Sequence, residues 1–269
     1  MKKFKIKTRP EKPPKPPLSD KMEELIEEAY NLFYYDLNGR LSVCTCPVCI
    51  MEEYVKELLM TPIKDIKREL MYEYLGAVNY DETGYEIKHF LPRILELIAS
   101  YEELRVDDSL NLDKCHFEKD IWSREELDYM KRFSAQFIID ILNTDIENSV
   151  LDDIAVYIVM FDLAGLSTEH LLDVDIWLEK SDRIKALKHL EKLMYYYTDS
   201  YTYFKYTFSV NPKFNNMMNE WLGSRKLAES FIPVIEEYYF DSLDMEYEEQ
   251  WRMEQLYNVF EKNLEKEIK

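Results

Sequence analysis

Apolar side chains recur at three- and four-residue spacings through most of the chain, the period of helices with one wet face. Met22, Leu25, Ile26, Ala29, Leu32 and Phe33 form the first stripe. Asp20 with Glu23 has capping-box spacing ahead of it, and Asn38-Gly39 is a stop signal behind it. Arg40 to Val43 reads as extended. A second helix is predicted on Ile50, Met51, Tyr54, Val55, Leu58 and Leu59. Thr61-Pro62 reads as an N-cap with Pro at the first helical position, opening a helix through Ile63, Ile66, Leu70, Met71 and Tyr74 to Gly76. Pro92 lacks an N–H and clashes with a preceding turn, so the next helix should start near His89 or bend there.

Ser123 with Glu126 opens a further helix through Leu127, Met130, Phe133, Phe137, Ile138 and Ile141. Residues 154–163 are apolar on nearly all sides, the pattern of a central buried helix, and Gly165 ends it. Short helices are expected at 168–179 and 182–197. The run Tyr201 to Val210 fits both a strand and a helical face. Helices return at 212–222, 225–240 and 244–267. The expected fold is therefore all-α, built of stacked antiparallel helix pairs with a cysteine knuckle. Phe231-Ile-Pro-Val-Ile-Glu-Glu echoes Phe90-Leu-Pro-Arg-Ile-Leu-Glu, which is similar to the runs of HEAT-like helical repeats.

Composition narrows the function classes. Only five glycines in 269 residues disfavour phosphate-binding loops and tight-turned β architectures. Residues 1–18 form a basic, proline-rich tail, and 19–269 are expected to make a single helical domain. Seven basic side chains against one acid in residues 1–17 leave the remainder with a net charge of -25, from -19 overall. Such a body repels nucleic acid and attracts a basic partner. No apolar run approaches the roughly 18 residues of a membrane span. The basic N-terminus lacks a signal peptide's apolar segment, so a cytoplasmic location is expected.

Cys46-Pro47-Val48-Cys49 has metal-ligand spacing: two thiolates three positions apart can chelate one tetrahedral Zn²⁺. Cys44 is a candidate third ligand, and Cys115, His116 or His89 could complete the set. Reduced cysteines at a turn and a redox pair are the other readings of the same residues. Glu86 with His89 matches half of a di-iron motif with no second copy in the chain, so Glu86 reads as a surface acid. There is no His-Glu-x-x-His, Walker A loop or nucleophile elbow. His170 and His189 read as ordinary helix residues. Residues 195–208 crowd eight aromatic rings together. If exposed, Tyr195, Tyr196, Tyr201, Tyr203 and Phe204 would make a partner-binding patch.

Three local runs carry a resemblance: Cys46-Pro47-Val48-Cys49, Leu58-Leu59-Met60-Thr61-Pro62-Ile63 and Lys88-His89-Phe90-Leu91-Pro92-Arg93. Over residues 44–98 the chain resembles a family of uncharacterised bacterial proteins with Cys-Pro-x-Cys, Thr-Pro-Leu and Lys-His-Phe-Leu-Pro-Arg. Cys44 lies outside that pattern. The resemblance marks which residues matter and implies no activity. With no catalytic constellation visible, the expectation is a protein-binding protein rather than an enzyme. Its sharpest form is an immunity-type protein that neutralises a basic toxin or effector. The alternative is a metalloenzyme or metal-binding protein using Cys46 and Cys49 with His89.

Overall fold

The computed structural model describes residues 15–37, 39–146, 151–241 and 245–265. The expectations for residues 1–14 and for the stop at Asn38 lie outside them. The described residues are all-α apart from one hairpin of two-residue strands.

Helix α1 spans Asp20–Leu32. Its cap is Ser19, one residue ahead of the expected Asp20: the Ser19 hydroxyl accepts from the Met22 amide at 3.2 Å and donates to Asp140 at 2.8 Å. Placing the cap at Ser19 thus also ties this end to a distant helix. The helix ends well before Gly39, at Phe33, whose buried ring packs edge-on against Trp122 and Tyr129.

Helices α2 (Glu52–Met60) and α3 (Arg68–Gly76) follow. The helix expected from Pro62 is a single 3₁₀ turn, Ile63–Asp65, and then breaks. The fully buried Ile66 is extended, and its carbonyl accepts from the Arg93 guanidinium at 2.8 Å. A tertiary bond thus takes a carbonyl that helix continuation would have used.

Helix α4 runs Tyr85–Ala99, beginning before His89 and carrying Pro92 in its interior. An interior proline costs about 3 kcal/mol. Burial of Ile87, Phe90, Leu91, Ile94, Leu95 and Ile98 offsets that, at ~1.5–3 kcal/mol per large side chain. Pro233 sits inside a later helix in the same way.

Helix α5 (Arg124–Leu142) opens with the expected capping box. Helix α6 (Ile154–Leu163) is buried from Ile154 to Phe161 and terminates ahead of Gly165, which has φ 82°. The segment expected as one short helix at 168–179 divides into a 3₁₀ turn, Glu169–Leu172, and a π turn, Asp175–Glu179. Helix α7 (Arg183–Tyr196) is capped by Asp182. The ambiguous aromatic run holds strands β1 (Thr198–Asp199) and β2 (Tyr203–Phe204), reversed through Ser200 and Tyr201 at φ 55° and 60°. Helices α8 (Pro212–Leu222), α9 (Arg225–Asp241) and α10 (Tyr247–Leu264) complete the order.

Helix α5 packs on α1, α6 and α7, and α7 in turn on α9 and α10. Buried apolar side chains form one cluster from Met22 to Phe260. Among the described residues no helix is long and apolar enough to cross a membrane.

Candidate metal centre

The cysteine loop lies between α1 and α2. Buried Val43 and Ile50 anchor its two ends, while Pro47 and Val48 stand in solvent. Val43 forms an isolated antiparallel bridge with Asn79. Around it the Cys44 amide donates to the Val78 carbonyl at 2.8 Å, and the Tyr80 amide to the Ser42 carbonyl at 2.6 Å. Within the loop the Cys49 amide donates to the Cys46 carbonyl at 3.0 Å, closing the turn that Pro47 opens. The chain therefore curls so that its sulfurs converge. The Sγ atoms of Cys44, Cys46 and Cys49 all lie within 4.8 Å of one another.

The N-terminal turn of α4 holds this loop in place. Glu86 accepts from the Ser42 amide at 2.5 Å and from the Asn79 side chain at 3.4 Å. Glu86 is therefore buried rather than the surface acid its sequence suggested, and burial raises its pKa. Lys88 donates to Glu126 at 2.8 Å and to the Ile121 carbonyl at 2.6 Å, so α4 is tied to the start of α5. Lys88, His89 and Arg93 thus supply structural ties to α5, Tyr35 and Ile66.

The loop's electrostatics favour thiolate at one sulfur. Hydrogen bonds from the Cys46 backbone, the Cys46 thiol, the Tyr80 hydroxyl and the Cys49 thiol pull the Cys44 pKa down to about 7. At Cys49 the Val78 backbone lowers the pKa, but the Cys46 and Cys44 sulfurs outweigh it and leave it raised. Lys114 lies near enough to Cys49 to feel its charge. Burial lowers the Lys114 pKa to about 8, and its ammonium donates to the Ala77 carbonyl. Three clustered sulfur donors suit a soft or borderline ion such as Zn²⁺.

The six candidate ligands divide. Cys44, Cys46 and Cys49 come together, and Cys115, His116 and His89 are not in their group. Cys115 is in the core, where burial pushes its pKa well up, and Trp122 fixes its carbonyl at 3.0 Å. His116, at φ 51°, points its imidazole to Glu118 at 3.4 Å. The His89 Nδ1 bonds to the Tyr35 carbonyl, with the ring edge-on to Phe90. Sequence reading missed Val78, Tyr80 and Lys114 as surroundings of the site. Only their positions on the far side of α3 could have hinted at it.

The aromatic candidates also divide. Tyr196 and Tyr203 are exposed, at 58% and 55%, and Trp251 joins them at 41%. Tyr195 and Tyr201 are half-buried beside them, with Tyr195 edge-on to both Tyr196 and Trp251. Phe204 is buried against Phe214 and offers nothing to a partner, because β2 alternates one ring out and the next ring in. The chain matches no protein-family model, no curated protein and no solved structure.

Proposed function

We propose that this protein is a metal-binding helical protein whose Cys44, Cys46 and Cys49 thiolates hold Zn²⁺. The convergence of three sulfurs within 4.8 Å carries this reading. The fit follows from donor chemistry: thiolates bind zinc at about 2.3 Å, which places neighbouring sulfurs roughly 4 Å apart around one tetrahedral ion. The chain needs little rearrangement to close on a metal. Structural zinc is worth ~10–16 kcal/mol in small domains. Here the gain is local, because the helical core is formed by other contacts, and the metal pins the approach to α2. Protein purified under reducing conditions should carry about one zinc per chain, and Cys46→Ser or Cys49→Ser should remove most of it. Protein that takes up no zinc, and melts identically with and without chelator, would sink the proposal.

A second reading concerns the partner. Exposed Tyr196, Tyr203 and Trp251 on an acidic body favour recognition of a basic protein. Its sharpest form is an immunity-type protein masking a basic toxin or effector. The rings supply desolvated contact area, and the charge supplies attraction at longer range. Recovery of partners from cells with Tyr196→Ala and Trp251→Ala as controls tests it. Equal recovery by the native and altered proteins counts against the patch.

A further inference from the structure

Zinc takes four ligands, and this loop offers three. Among the described residues no fourth cysteine, histidine or carboxylate joins the group. Several neighbouring donors are committed elsewhere. Cys115 is enclosed by the core, and the His89 Nδ1 is bonded to the Tyr35 carbonyl. Glu86 is held by Ser42 and Asn79. Asp81 accepts from the Thr83 amide at 2.9 Å, from the Thr83 hydroxyl at 2.5 Å and from the Glu86 amide at 2.8 Å. His116 is turned to Glu118.

The segment that pairs with the loop also borders a pocket. Val78 and Tyr80, which hydrogen-bond to the cysteines, line a cavity of about 520 Å³ together with Lys114, Cys115, His116 and Lys119. That volume lies in the range of small-molecule sites. Asp81 and Glu82 also line it, so it presents charges of both signs, as a zwitterionic small molecule requires. A closed structural site keeps all four positions for protein ligands, whereas a site that does chemistry or exchange keeps one open.

We infer that the zinc bound by Cys44, Cys46 and Cys49 keeps an exchangeable fourth position that takes a small-molecule thiol, with the body of that thiol resting in the adjoining pocket. This rests on the metal reading above. The ligand sulfur is soft, like the three beside it, and matches the ion. On binding, the incoming thiol would displace a water from the fourth position into solvent, form a Zn–S bond and give its proton to solvent. No electron changes hands.

The test uses the full chain loaded with Co²⁺ in place of zinc, because tetrahedral cobalt reports its ligands through visible d–d bands and sulfur-to-cobalt charge transfer. Glutathione is the probe, with S-methylglutathione as the thiol-blocked control. The expected result is a saturable change in the d–d bands with glutathione and none with the blocked form. X-ray absorption of the zinc protein should count three sulfurs before glutathione and four after it. In the thiol-free protein Cys115→Ala and His116→Ala should leave the d–d bands and the count of three sulfurs unchanged, and in the native protein half-saturation should come at lower glutathione than 2-mercaptoethanol concentration. A band pattern indifferent to glutathione, four sulfurs before any thiol is added, or loss of a ligand in the Cys115 or His116 variant would overturn the open position. Equal half-saturation by the two thiols would remove the pocket from it. A chain that takes up neither cobalt nor zinc overturns the metal reading itself, which is a separate result.

Discussion

Lys88 is a cation buried inside an acidic protein, with its side chain 7% exposed and that of its partner Glu126 3% exposed. Burial alone would raise the Glu126 pKa, but Lys88, the Ser123 amide and the Tyr35 hydroxyl outweigh it and leave it lowered. The pair is satisfied from every side, and the Lys88 ammonium also lies 4.9 Å from the Trp122 ring centroid. Removing one member strands the other charge. Lys88→Met should therefore cost about 3–5 kcal/mol in denaturant unfolding, and adding Glu126→Gln should return part of it. Recovery of nothing in the double variant would mean that packing of the Lys88 stem dominates. His189 tests the same physics through pH. Burial pushes its pKa down to about 4, and both ring nitrogens are buried without a hydrogen-bond partner. The folded state prefers the neutral ring, so the unfolded chain binds the extra proton between pH 6.5 and about 4. Stability from this group is present above pH 6.5 and is lost as pH falls to about 4. The raised carboxyls of Asp108 and Asp162, both near 6 through burial, act with the opposite sign. The difference between native and His189→Gln unfolding curves isolates the histidine. It should shrink on acidification, and a pH-independent difference would refute the assignment.

At the scale of elements, α4 does more than fill the core. Its first turn reaches the cysteine loop through Glu86, its second reaches α5 through Lys88, and Arg93 holds the break after Pro62. Gly84 starts it at φ 71°, and a Cβ there would fall on the Ile121 side chain. Gly84→Ala should cost about 1–3 kcal/mol, from a left-handed backbone and a contact that must give way. Because the same turn positions Glu86 and Asn79, zinc should also leave this variant faster in chelator-competition measurements. Unchanged zinc retention in a destabilised variant would separate α4 from the loop. Such ties are why some helix boundaries were legible in the sequence and others not. Ser123 and Glu126 cap α5 through atoms three residues apart, which spacing reveals. Ser19, Ile66 and Phe33 end or start elements by meeting Asp140, Arg93 and Trp122, partners that no local window contains.

At the scale of the molecule, a charge of -25 outside the first 17 residues acts on whatever approaches. For a basic partner such a field speeds encounter, by ~10–10³-fold in strongly steered cases. Affinity would come from the exposed rings of Tyr196, Tyr203 and Trp251. The expected signature is an association rate that falls steeply with salt while Tyr196→Ala acts mainly on dissociation. Stopped-flow mixing with a recovered partner reads both. An on-rate indifferent to salt between low and physiological ionic strength counts against steering.

The sequence alone determined that the chain is helical, because a 3.6-residue apolar period is written in nearest-neighbour spacing. It also determined that Cys46 and Cys49 are chelator-spaced, because two thiolates three positions apart need only one turn to meet. It offered Cys44 as a third ligand and left Cys115, His116 and His89 as alternatives for completing the set. The tertiary structure decided among them. The Val43–Asn79 bridge curls Cys44 toward the pair. The packing of Phe117 and Trp122 draws Cys115 into the core, and the Tyr35 carbonyl takes the His89 ring. It likewise turned Phe204 inward and left Tyr203 outside. The physical reason is one of range. Helical period and turn chemistry act over a few residues, whereas coordination and exposure depend on ångström-scale convergence of segments far apart in the chain.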